Sequence, residues 1–194
     1  LIPTAMETRA AVAQFQPGTG ELTVWMTSQN AHIHRFAFSA LLGVPEHKLR
    51  VIAPEVGGGF GSKIAVYPEE VLVAHAARRL GRPVKWSELR RENYLATTHG
   101  RDHVQEVVLA GRRDGTLTAI HVKAIANLGA YLSTAAPGVP TILFGPIVTG
   151  PYHIPHASVE VVGVLTNTTP VDAYRGAGRP EATYLMERMV DLFA

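Results

Sequence analysis

The apolar positions fall into short runs rich in β-formers and three stretches with helical spacing, separated by segments of glycine and proline. Residues 9–29, "RAAVAQFQPGTGELTVWMTSQ", hold two β-type runs around Pro17-Gly18-Thr19-Gly20, which predicts a hairpin whose turn conformations glycine supplies. Asn30 stands where a helix N-cap belongs. In the following "AHIHRFAFSALLG", Ile33, Phe36, Ala37, Ala40 and Leu41 share one apolar face, and Gly43 ends the helix. "KLRVIAP" reads as a buried strand. "PEEVLVAHAARRLG" reads as a second helix, with Pro68 and two acids in its first turn and Gly81 beyond its last. "PVKWSE" reads as another strand, and the short basic runs "RRLGR" and "RREN" as solvated helix ends.

A similar order then recurs. "DHVQEVVLAGRRDGTLTAIHVKAIANLGAY" predicts a longer hairpin turning at Arg113-Asp114-Gly115, "ASVEVVGVLTN" a strand, "VDAYRGAGRP" a glycine-bearing loop, and "PEATYLMERMVDLFA" a closing helix opened by Pro180. The expected fold is α+β, with mixed sheets and helices in two layers, built as a loose duplication of a β-β-α-β-α unit. The first unit covers about residues 1–90 and the second about 100–194. Between them, "LSTAAPGVPTILFGPIVTGPYHIPH" predicts a long packed connection with one helical turn near Thr141 to Phe144, of a kind that also lines substrate channels.

With 46% apolar and 18% charged residues among 194, the chain can bury a core and does not have the composition of a disordered segment. Its net charge of +2 is scattered, so nucleic-acid binding has no support beyond a pI near 9.1. The absence of cysteine excludes a disulfide scaffold, a thiolate zinc site, a Cys-ligated iron–sulfur cluster and a Cys nucleophile. No apolar run is long enough to cross a bilayer and no signal peptide is visible, which in a segment of a longer chain says little about the parent protein. The expected location is cytoplasmic, with a membrane-associated or periplasmic one as the alternatives. The chain starts at "LIPTAMETR" without an initiator Met and stops within the amphipathic "MERMVDLFA". It is therefore expected to be a segment of a longer polypeptide.

Candidate chemistry centres on "VGGGFGSKI", residues 56–64. A bare strand-to-helix turn needs fewer glycines. A Walker A loop needs Gly before the Lys and Ser or Thr after it, whereas Ser62 precedes Lys63 and Ile64 follows. A dinucleotide fingerprint fits at Gly57 and Gly59 but meets Ser62 at its third glycine. Both glycine loops lie between a strand and a helix, where backbone N–H groups are free to bind oxygen atoms. In "SQN", Gln29 offers a neutral amide that can donate to an oxo or hydroxyl group. Arg179, at a helix start, needs an external anion or a local partner, and Arg175 has the option of an acid. His32 and His34 point about 200° apart on a helix and do not form a metal-ligating pair.

Taken together, "TSQN", "VIAPEVGGGFGSK", "RPVKWSELRRENYLATTHGRDH" and "AYRGAGRPEA" followed by "MERMVD" resemble the large subunit of the molybdenum hydroxylases, the xanthine dehydrogenase, aldehyde oxidase and carbon monoxide dehydrogenase family. The resemblance runs through nearly the whole chain and implies that residues 1–194 are a fragment covering the first molybdenum-cofactor-binding domain. It implies that Gly58, Gly59, Phe60 and Gly61 lie against molybdopterin, most simply in its cytosine dinucleotide form, with amides around Phe60 and Gly61 facing the cofactor's oxygens. It further implies that Gln29 hydrogen-bonds the apical oxo ligand of molybdenum, with no direct protein ligand to the metal. Tyr174, Arg175 and Gly176 would belong to an active-site loop on the other side of the metal, with Gln29 and Arg175 as the catalytic pair. The implied reaction is hydroxylation of an aldehyde or N-heterocycle carbon with oxygen from water. Electrons would leave through an iron–sulfur small subunit and an FAD-carrying medium subunit, in a dimer of heterotrimers.

Two departures bear on substrate. Where copper-containing carbon monoxide dehydrogenases carry a Cys in this loop, the chain has Gly176, as in the form II subgroup. Where xanthine-type enzymes have an aromatic and an acid, it has Ala177 and Ile64. The family's general base lies in a later motif outside these residues. The competing readings are a nucleotide-binding α/β enzyme that uses the glycine loop and a non-catalytic scaffold fragment.

Overall fold

The structure, a computed structural model, describes all residues 1–194. The chain forms two compact units, Pro3–Thr97 and Thr98–Ala194, the second including Leu1–Ile2.

In the first unit, β1 (Ala10–Gln16) and β2 (Glu21–Met26) form the predicted hairpin. Helix α1 (Ala31–Leu42) then carries the chain to β3 (Leu49–Ile52), which pairs parallel to β2. The glycine loop, helix α2 (Pro68–Leu80) and β4 (Val84–Ser87) follow, and the sheet order is β3-β2-β1-β4. Alternation along the strands sends Ala11, Ala13, Leu22, Val24 and Met26 to one face, where they pack with Phe38, Val44, Leu49, Val73, Ala74 and Ala77.

Helix α1 departs from the expectation. Ile33, Phe36 and Leu41 lie on its exposed side, and its buried residues are His34 and Phe38. Periodicity alone would send the longer apolar face to the core. That assignment fails because His34, counted as polar, is buried with its polar atoms satisfied: Nδ1 lies 2.9 Å from the Ser28 hydroxyl and Nε2 lies 3.3 Å from the Ala65 carbonyl. Asn30 does occupy the N-cap position, but its side chain makes no capping bond. Instead its amide donates to the Ile64 carbonyl across the loop. A short helix, α3 (Arg90–Ala96), stands where the sequence predicts only a solvated helix end. Asn93 of α3 is buried and donates to Glu88, which also grips the fully buried Arg9 at 2.6 Å. A buried arginine is tolerable only when paired in this way.

The second unit repeats the order with different spacing. The strands β5 (His103–Gly111) and β6 (Leu117–Gly129) form the long hairpin, and β7 (His156–Leu165) pairs parallel to β6. The connection before β7 holds a π-helical segment, Val139–Phe144, running into a 3-10 turn, Gly145–Ile147. Helix α4 (Arg179–Phe193) closes the unit after the second glycine loop. Ile120, Val122 and Ala124 of β6 face Phe144, Val148, Ala182, Leu185 and Met186 in its core. The result is a mixed α+β architecture in which each unit runs hairpin, crossover, parallel strand, glycine loop and helix.

Candidate functional site

The first glycine loop is shaped by the protein's own side chains. A Cβ at Gly57 would lie 2.6 Å from the Glu7 Cβ, and one at Gly59 would lie 2.3 Å from Oε1 of Gln29. A Cβ at Gly58 would lie 2.8 Å from the ring of Phe60, and Gly58 also takes a φ of 97° that side chains rarely adopt. The triple glycine therefore makes room for Glu7, Phe60 and Gln29, which stand against the backbone.

Gln29 is exposed yet tightly held. Its main-chain N–H donates to the Lys63 carbonyl at 3.1 Å. Its Oε1 accepts from the N–H of Gly61 at 2.9 Å and of Lys63 at 3.3 Å. Two backbone donors on one atom identify that atom as the oxygen, so the Nε2 donors face away from the loop. This alters one expectation: the Gly61 amide is directed at Gln29. Gly58 and Gly59 are the loop residues whose N–H groups have no acceptor within the chain.

Below the loop, Glu7 Oε2 accepts from the Gly57 N–H at 2.7 Å and from Nζ of the buried Lys63 at 2.9 Å. Partial burial works to raise the Glu7 carboxyl, but hydrogen bonds from Lys63 and Gly57 outweigh it and hold the group below its ordinary value. His34 bridges Ser28, beside Gln29, to Ala65, just past the loop. The loop and Gln29 are thus parts of one braced assembly.

The second loop follows the same logic. Gly176, Ala177 and Gly178 have consecutive positive φ values of 100°, 40° and 85°. The loop's carbonyls are turned onto cations. Tyr174 C=O accepts from Arg101 Nη1 at 2.9 Å, Arg175 C=O from Arg101 Nη2 at 2.6 Å, and Gly176 C=O from Arg179 Nη1 at 3.3 Å. Arg179 therefore has a local carbonyl partner. The stem is fixed by the buried Asp172, which accepts from the Ser133 hydroxyl and from the N–H of Ala135 at 3.2 Å. Arg175 is exposed, and the Gly176 N–H has no acceptor within the chain.

Glu7, His34, Lys63 and Arg101 escaped the sequence reading as site residues. Glu7 and Arg101 lie 50 and 73 positions from the loop residues they hold, so no local spacing could reveal them. The available signal was the quoted "THGRDH" motif, whose arginine had no assigned role.

No group of three or more His, Cys, Asp or Glu side chains stands together to hold a metal ion. The donor set fits a different guest. An outward carboxamide and main-chain N–H groups without internal acceptors suit an oxygen-rich, anionic group that brings its own metal ligands. Such a donor set is compatible with a cofactor-binding domain. The molybdopterin cofactor-binding domain family matches the chain over residues 1–194, and the chain belongs to that family. That assignment supports the molybdenum reading over nucleotide binding.

The chain is 44% identical, over 99% of its length, to the carbon monoxide dehydrogenase large chain of Hydrogenophaga pseudoflava, and covers 24% of that protein. The structure of reconstituted CO dehydrogenase from Oligotropha carboxidovorans superposes with a TM-score of 0.91 at 38% identity, over 100% of this chain and 24% of that one. Quinoline 2-oxidoreductase from Pseudomonas putida 86 gives a TM-score of 0.85 at 36% identity, over 94% of this chain and 25% of that one. The chain therefore spans about a quarter of the length of the relatives it matches. No helix is long and apolar enough to cross a membrane.

Proposed function

We propose that this chain is the part of a molybdenum hydroxylase large subunit that cradles molybdopterin and presents Gln29 to its metal. The observation that carries this reading is the clamped Gln29, whose oxygen is fixed on two loop amides so that its donors face outward. A carboxamide has no proton to lose in the working pH range, so it can donate a hydrogen bond without changing the local charge. Gly58, Gly59 and Phe60 would hold the cofactor on one loop, with Gly61 supporting through Gln29. Tyr174, Arg175 and Gly176 would hold it on the other, with the Arg175 cation and the Gly176 N–H facing anionic oxygens. When bound, molybdopterin supplies a redox-active metal that oxidises a substrate carbon with oxygen derived from water. The cofactor form is the cytosine dinucleotide. Iron–sulfur and FAD partner subunits take up the electrons, the assembly is a dimer of heterotrimers, and the parent protein works in the cytoplasm.

The loop residues narrow the substrate. Copper(I) requires a soft sulfur ligand, and Gly176 supplies none. Ala177 offers no ring to stack on a purine, a loss of about 1 kcal/mol, and Ile64 offers no acid for its polar edge. An aldehyde or small N-heterocycle fits these side chains better, and quinoline 2-oxidoreductase is a relative whose name carries such a ring. The test is dye reduction by the purified full-length holoenzyme with an aldehyde, a heteroaromatic, xanthine and CO, alongside molybdenum and copper analysis. We expect one molybdenum per large subunit, no copper, and turnover fastest with one of the first two. CO oxidation with bound copper, or a strong preference for xanthine, would overturn the substrate reading.

A further inference from the structure

We infer that Arg101 is a positioning residue for the second loop, gripping it by two consecutive main-chain carbonyls so that the following amide faces outward. The inference rests on the proposed placement of that loop against the cofactor. Arg101 Nη1 and Nη2 bond the carbonyls of Tyr174 and Arg175 at 2.9 and 2.6 Å. Because a trans peptide is planar, its N–H points opposite its C=O. Holding the Arg175 carbonyl therefore aims the Gly176 N–H away from Arg101, and that N–H has no acceptor within the chain.

The surroundings are arranged for this grip. Arg101 itself has a φ of 68°, unusual for a residue with a side chain. Its neighbour Gly100 has no room for a Cβ, which would lie 2.4 Å from the Cβ of Tyr174. The Tyr174 ring lies over the guanidinium at 4.8 Å. Glu181, on the first turn of α4, places Oε2 3.7 Å from Arg101 Nε, and that buried oxygen has no hydrogen bond. The carboxylate therefore balances the arginine's charge and leaves both Nη groups to the loop. A planar fork can span two adjacent carbonyls, which a single ammonium does not reproduce.

The test uses the full-length holoenzyme with Arg101→Lys and Arg101→Met. Hydrogen exchange of peptides covering residues 173–179 reports the loop directly, and turnover at saturating substrate reports its consequence. Both variants are expected to lose amide protection in this segment at normal molybdenum content. Turnover should fall by up to about 10²-fold, the scale of an ångström-level misplacement. Methylguanidinium should restore part of it to Arg101→Met, and sodium chloride at equal ionic strength should not. Wild-type exchange in Arg101→Met would overturn the clamp. Wild-type exchange and turnover in Arg101→Lys would show that charge alone suffices, overturning the two-carbonyl grip. Faster exchange with undiminished turnover would keep the clamp and remove the loop from the active site, which is the failure of the underlying reading.

Discussion

Gln29 and Gly59 are best understood as a pair. A methyl group on Gly59 would fall 2.3 Å from Gln29 Oε1, so the glutamine has to leave its two backbone donors. Gly59→Ala is expected to cost about 1 kcal/mol of stability, since the freed amides are partly solvated. In the holoenzyme it should lower turnover toward the level of Gln29→Ala. Removing one donor of this kind typically costs about 10²–10³ in turnover. Molybdenum content, measured beside turnover, distinguishes the possible roles. A Gly59→Ala enzyme that has lost its metal, beside a Gln29→Ala enzyme that keeps it, would show that the missing side chain at Gly59 makes room for the cofactor and not for the seat of Gln29.

At the scale of elements, α1 gives the sharpest contrast between pattern and packing. Phe38 is fully buried and Phe36 is 66% exposed, although both lie on the same helix. In the expressed 194-residue chain, Phe38→Ala should cost about 3–5 kcal/mol, whereas Phe36→Ser should change stability by less than about 0.5 kcal/mol. Urea unfolding measures both, and a large loss at Phe36 would contradict the observed burial. The strands, α2, α4 and both glycine loops were legible because alternation, proline at helix starts and glycine runs are local signals. The core face of α1 was not, because its decisive residue is a hydrogen-bonded histidine. Seven-residue α3 was not, because one buried asparagine leaves no period to read. Among the candidate site residues, Gln29 and the loop glycines stood out by type. Glu7 and Arg101 act across long stretches of chain, and only the folded structure pairs them with the loops they hold.

Across the whole molecule, one architectural idea occurs twice. Each unit ends a parallel strand in a glycine loop, braces that loop with residues distant in sequence, and leaves selected backbone N–H groups without internal partners. These groups are partly or fully open to solvent, and the proposed function assigns them to the oxygen-rich cofactor for which the family is named. The most direct measurement is a crystal structure of the full-length, cofactor-loaded protein. The account predicts Gln29 Oε1 still seated on the Gly61 and Lys63 amides, with Nε2 within hydrogen-bond distance of an oxygen on molybdenum. Molybdopterin bound elsewhere, or Gln29 released from the loop and turned away from the metal, would contradict it.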